Sequence, residues 1–239
     1  MNPNPHPALN RVNSAGFRWD FILAYVNGGY WIDDQWLLQG PNVVHALIEP
    51  EASTQATGHP HLAILHSNAA PKLTKWEALV AYWRRKDITG EAHFIPGFEQ
   101  MVQTMPLNRR ADCNYKANWF RKPGVTTPLI AISFETQDMG AATLPTTPWN
   151  MVQLNDMVGG LTAICVVAGM SCTAPATWND SGIGHHALFK EWSVYTGKTC
   201  PGAARIRQMD WVRGEVAKRL GDFMQFTDRE WTCGTGAAK

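Results

Sequence analysis

The residues best equipped for chemistry lie in the stretch 182–202, GIGHHALFKEWSVYTGKTCPG, where the adjacent pair His185 and His186 precedes Lys198 and Cys200. Imidazole nitrogen and thiolate sulfur are both good zinc ligands, and one of each reads as part of a mixed site. Such a site needs a further protein ligand. The strongest donor elsewhere is His66, which closes the apolar run His61-Leu62-Ala63-Ile64-Leu65. A buried strand there would deliver the imidazole at its tip. The pattern predicts a zinc site of two histidines and one cysteine, with the fourth position open to water. Adjacent residues of an extended chain face opposite ways, so one of His185 and His186 binds and the other is left to support it. Lys198 stands two residues before Cys200 and on an extended segment faces the same cavity, where it would stabilise an oxyanion.

The elements that must position these groups follow from periodicity. Alternation along 61–66 puts Leu62, Ile64 and His66 on one side and His61, Ala63 and Leu65 on the other, which removes His61 as a ligand unless a bulge intervenes. Residues 129–135, LIAISFE, form the next core strand, with Ser133 and Glu135 on a shared face. A carboxylate ending a buried strand needs a reason. Glu135 is the candidate base for the proton of an attacking water, Ser133 the alternative for positioning that water, and an exposed strand end the bland reading. A helix is expected from an N-cap at Thr74, with Glu77 at the capping-box position, to about Arg85, burying Trp76, Leu79, Val80 and Trp83. Residues 91–105 read as two strands turning near Pro96-Gly97. A second helix begins at Pro148-Trp149-Asn150 and runs to about Ala168, with Gly159-Gly160 allowing close packing. A last helix covers 204–219, and the tail from Thr227 is polar and turn-rich. His45 is expected to be packed or superficial, and His59 solvated. His93 reads as a core-strand histidine near the site, or as a fourth ligand if the site is closed. The expected fold class is α/β, a central mixed sheet with helices on both faces and zinc in a groove at the strand ends. Residues 1–54 are read as an N-terminal extension, 55–220 as the zinc domain and 221–239 as a C-terminal tail.

Taken in order, HLAILHSNAA at 61–70 and the block 182–202 resemble the zinc-dependent N-acetylmuramoyl-L-alanine amidases. These share their fold with peptidoglycan recognition proteins and short phage amidases. The resemblance spans residues 55–215, and Gly-Lys-Thr-Cys-Pro-Gly is similar to amidase domains of actinobacterial phage endolysins. It implies that His66 is the first zinc ligand and Cys200, before Pro201-Gly202, the last. Gly-Ile-Gly-His-His resembles phage members with Gly-x-Gly-aromatic-His, which favours His186. Shorter members with Gly-His favour His185. His186 is preferred and His185 kept as the alternative. The resemblance further places Glu135 beside the zinc water, gives Lys198 the oxyanion role, and makes Asn114, Asn118 and Trp119 substrate-contact candidates, with an ordered surface loop whose Asn side chains bond to backbone as the equal alternative. Ala92 stands where some members carry a catalytic tyrosine. The activity implied is hydrolysis of the amide between N-acetylmuramic acid and L-alanine, with Zn2+ as cofactor and bacterial peptidoglycan as partner. A non-catalytic peptidoglycan-binding module and a bacterial autolysin or wall-recycling amidase are the alternatives. An endolysin would reside in the host bacterial cytoplasm before lysis and act on the cell wall after release.

Composition sets bounds. The 239 residues suffice for one sizeable core. A net charge of +1 gives no whole-protein pull towards nucleic acid. Arg84-Arg85-Lys86 and Arg109-Arg110 read as solvated faces. Five cysteines, an odd and sparse set, do not suggest a disulfide framework, and a monomer in a reducing compartment is expected. The N-terminus lacks a basic start followed by an apolar core, and no run is expected to cross a membrane. The 11 tryptophans can serve the core or wall a groove for sugar rings, with Trp119 and Trp149 the candidates for the groove.

Overall fold

The structure is a computed structural model and describes residues 27–48, 55–68, 75–85, 91–138, 147–189 and 199–234, with side chains described to 225. Eight strands are present among these residues. β1 (Trp31–Ile32) and β2 (Leu38–Gln39) form a small antiparallel ribbon. The remaining six are β3 (Val43–His45), β4 (His59–Ser67), β5 (Phe94–Pro96), β6 (Met101–Gln103), β7 (Leu129–Thr136) and β8 (Gly182–His185). They make one sheet in the order β3-β6-β5-β7-β4-β8. Its pairs are parallel except β5 with β6, the hairpin expected around Pro96-Gly97. The α-helices are α1 (Trp76–Trp83), α2 (Met151–Ala168), α3 (Ala203–Ile206) and α4 (Met209–Gly234). The chain is therefore the expected α/β domain with a mixed central sheet flanked by helices.

Alternation along β4 and β7 sorts the core into layers. Ala63, Leu65, Ile130, Ile132 and Phe134 join α2 and the buried side of α4 in the largest apolar cluster. Leu62, Ile64, Leu129 and Ala131 face the other way and are covered by Ala117, Phe120 and Phe189. On that second face, α1 supplies Val80 and Trp83 over Ala92, Ile95 and Val102. α2 is nucleated by a capping box in which Asn150 and Gln153 satisfy each other's end groups. Gly159 is required by space: a Cβ there would lie 2.3 Å from the Tyr30 ring. Tyr30, Ile32 and Leu38 thus belong to the main cluster, and β3 extends the main sheet by pairing with β6.

Several expectations are corrected. Extended pairing begins earlier than expected, so His59 lies in β4, half-buried against Trp36, with Nε2 2.8 Å from the Ala168 carbonyl. α2 meets the length and composition of a membrane span, contrary to the expectation that no run does, but 78% of it is buried inside the fold. The region from Thr227 continues α4 as helix to Gly234. Helix there was obscured by polarity, because α4 needs an apolar stripe only on the side facing α2. The α1 N-cap is Lys75 with no side-chain cap, and Thr74 lies outside the described residues.

Candidate metal centre

Three parallel strands, β8, β4 and β7, end side by side at one end of the sheet. Register pairs His66 with Glu135, Ile64 with Ser133 and Leu65 with His185. His66 and Glu135 therefore emerge on one face, while His185 shares the face of Leu65, the side covered by α2 and α4. β8 can lie this close because Gly182 has no side chain; a Cβ there would meet the Thr173 carbonyl at 2.5 Å. Immediately after His185 the chain turns into a 3-10 turn, His186–Leu188. That turn breaks the alternation and brings the His186 ring to 4.9 Å from the His66 ring, centroid to centroid. The Ala187 N–H donates to the Cys200 carbonyl at 2.9 Å, which docks the Cys200 segment against the same corner.

The result is a group of three: the ligand atoms of His66, His186 and Cys200 all lie within 4.8 Å of one another. Zn–N and Zn–S bonds of ordinary length set tetrahedral ligand separations of about 3.3–3.8 Å, so the donor set fits a zinc ion with modest closure. Burial pushes the His66 imidazole down to about 3, helped by the neighbouring histidines, and keeps its lone pair available. Asn114 decides which nitrogen offers it. Its Nδ2 donates to the Ala131 carbonyl at 3.2 Å, so its Oδ1 must be the atom 2.8 Å from His66 Nε2. Nε2 is therefore the N–H donor and Nδ1 the free donor atom for a metal. Burial, with Glu135 next in weight, pushes the Cys200 thiol up to about 12. Metal binding must therefore displace that proton.

Glu135 is half-buried beside this group, and burial followed by the charge of Asp138 raises its carboxyl to about 8. Ser133 is fully buried and occupied with His93, whose backbone N–H it accepts at 3.1 Å. His93 has both ring nitrogens engaged: Nδ1 accepts from the Ser133 N–H at 3.2 Å, and Nε2 donates to the Arg109 carbonyl at 2.8 Å. It is a core histidine and not a member of the metal group. Among the described residues His185 Nδ1 is buried without a hydrogen-bond partner, and burial and Arg213 of α4 push its imidazole down to about 4. A bulge between Pro60 and Leu62 does intervene near His61, whose Nε2 lies 3.2 Å from the Asn179 carbonyl and 3.1 Å from the Lys122 amine, against the Phe120 ring. His45 Nε2 donates to the Leu38 carbonyl at 2.8 Å. Lys198 lies outside the described residues.

The expected substrate-facing residues differ most from their expected roles. Asn118 Oδ1 accepts the Asn114 backbone N–H, so both asparagines are buried within the site's support. Trp149 is 2% exposed and donates Nε1–H to the Thr136 hydroxyl at 3.1 Å, which removes it as a groove wall. Trp119 is half-buried, with Nε1–H donated to the Thr57 carbonyl at 3.2 Å and Arg121 over its ring. The sequence reasoning missed Ser67, Asp138 and Arg205 altogether. Ser67 and Asp138 follow His66 and Glu135 closely enough to be noticed, but Arg205 carries the look of any surface arginine at a helix start. The four described cysteines are free, so Cys165 and Cys172 are not joined.

No family model and no curated protein matches the sequence. Among solved structures, the chain is similar to Staphylococcus aureus hydrolase AmiA in complex with its ligand, with a TM-score of 0.49 and 11% identity over 75% of this chain and 82% of that one. It is similar to a mutant endolysin from Bacillus subtilis, with a TM-score of 0.48 and 16% identity over 73% of this chain and 98% of that one. It is also similar to the N-acetylmuramoyl-L-alanine amidase LysC from Clostridium intestinale, with a TM-score of 0.45 and 11% identity over 71% and 95%.

Proposed function

We propose that this chain is a zinc-dependent amide hydrolase acting on bacterial peptidoglycan, cutting the bond between N-acetylmuramic acid and the L-alanine of the stem peptide. The observation that carries the reading is the convergence of His66, His186 and Cys200 from three separate segments within 4.8 Å, with Glu135 in register beside His66. Three protein ligands among the described residues match the pattern of a catalytic centre, since structural zinc sites are ordinarily closed by four. Held by His66, His186 and Cys200, a zinc ion would supply an acidified water and a Lewis acid for the carbonyl. His66 and Cys200 hold and orient, with Asn114 fixing the His66 tautomer. Glu135 in its ionised form would take the proton of the attacking water and pass it to the departing amine, and burial, which raises its affinity for a proton, favours that acceptance. Lys198 is the proposed oxyanion partner. The choice of substrate rests on the ordered sequence blocks 61–70 and 182–202 and on their resemblance to muramoyl-alanine amidases.

The test has two arms. Metal analysis of purified protein should give one zinc per chain in wild type and in Glu135→Gln, and loss of stoichiometric zinc in Cys200→Ser. Digestion of purified peptidoglycan should release stem peptides with free L-alanine amino termini and leave glycan strands intact, with Glu135→Gln nearly inactive. New reducing ends, or internal peptide cuts without free alanine termini, would overturn the amidase reading. Muropeptide binding without cleavage would make the chain a recognition module.

A further inference from the structure

Behind the three ligands lies a buried ion pair that the reaction as proposed does not use. Arg205 of α3 is 1% exposed and Asp138, two residues beyond β7, is fully buried; their side chains form a salt bridge. The pair reaches both ligand-bearing limbs. On one side, Asp138 Oδ2 accepts the Ser67 hydroxyl proton, and the Ser67 backbone N–H donates to Cys200 Sγ at 3.4 Å. On the other, Arg205 Nη1 donates to the Thr136 hydroxyl at 2.9 Å, and that hydroxyl donates to the His66 carbonyl at 2.7 Å. The indole of Trp149 closes this side by donating to the same hydroxyl, with its ring centroid 5.9 Å from the guanidinium carbon.

Burying two charges is a poor way to gain stability, because desolvation consumes most of the attraction and apolar residues of similar volume serve as well or better. What the pair offers is direction. It ties the ends of β4 and β7 to the segment that follows Cys200. We propose that Arg205 and Asp138 are the positioning residues of the metal centre, acting through Ser67 on Cys200 and through Thr136 on His66. The proposal rests on the metal-site reading above.

Removing one charge strands the other, so the informative variant removes both. Arg205→Met with Asp138→Leu is expected to fold with a urea midpoint at or above that of wild type. Its zinc affinity, read by competition with a chromophoric chelator, is expected to fall about 10–100-fold, as for outer partners of metal ligands generally. Cobalt-loaded protein adds a readout that general stability would not move: the thiolate-to-cobalt absorption should shift or weaken. Ser67→Ala keeps both charges and cuts only the link to Asp138. It should weaken zinc by about 10-fold, the lower end of that range. Arg205→Lys should recover part of the cobalt signal lost in Arg205→Met. If the double variant and Ser67→Ala bind zinc as wild type does, with unchanged cobalt spectra, the positioning role is overturned. A wild-type chain that takes up no zinc would instead remove the metal-site reading, and this inference with it.

Discussion

On one face of the sheet, Ala63, Leu65, Ile130, Ile132 and Phe134 merge with α2 and α4 into a single apolar cluster. On the other face, the same two strands carry Leu62, Ile64 and Ala131 only part of the way, and then present His66, Ser133 and Glu135. The covering material differs accordingly. α2 is buried along almost its whole surface, whereas the second face is closed by short pieces: α1, the 3-10 turn Tyr115–Asn118 and the loops around it. A face sealed by two long helices is a rigid platform. A face covered by short turns leaves backbone and side-chain polar groups at the strand ends, and ligands can be placed there without breaking the core. The two faces therefore divide the work, and perturbing each should have a different consequence.

The largest effect should come from acid, and it should enter through the polar face. His66 and His93 are held neutral in the fold, pushed down to about 3 and about 4, while an unfolded chain protonates them near 6.5. Their contribution is intact above pH 6.5 and is lost as pH falls towards 4, because the unfolded state then binds more protons. Glu135 works in the opposite sense: raised to about 8, it favours the fold below pH 4.5 and loses that advantage as pH rises through 8. His61, pushed down to about 4 by burial and then by Lys122, joins them, and three such histidines outweigh one carboxyl between pH 4.5 and 6.5. Metal-free protein should therefore lose several kcal/mol of stability across that window, read as a falling urea midpoint. A flat profile would show that these imidazoles are not buried as described.

The platform face should answer to cavities instead. Phe134 stacks on Phe94 with ring centroids 4.7 Å apart and is fully buried. Phe134→Ala should cost about 3–5 kcal/mol. Phe120 closes the second face from its margin and retains 8% exposure. Phe120→Ala should cost less than half as much in the same urea titration. Equal losses would erase the distinction between platform and cover.

The most selective effect on the site is expected at Asn114. Asn114→Ala removes the acceptor that sets the His66 tautomer and should weaken zinc about 10–100-fold. Asn114→Asp keeps an acceptor facing Nε2 and should retain more of the affinity than Asn114→Ala. Competition with a chelator reads both, and equal affinities in the two variants would mean that the tautomer is not controlled from this position.

Much of this was legible from residue types and spacing. An apolar run ending in His66, a second ending in Glu135 and a Gly-Ile-Gly-His-His block each declare a strand and what it carries, because side chains alternate in extended chain regardless of what surrounds it. Amide-capped starts such as Asn150 with Gln153 are equally local. Three things were decided only by the tertiary structure. Which of the two adjacent histidines joins His66 depends on a turn beginning at His186, which alternation alone does not reveal. Trp149, Asn114 and Asn118 carry side chains that suit a substrate groove, yet packing assigns them to the interior, where each polar group finds a backbone or side-chain partner. Arg205 and Asp138 lie 67 positions apart (205 − 138) and meet only because α3 folds back on the end of β7. A buried charge pair leaves no local signature, since what selects it is the field of a neighbour that the sequence does not place beside it.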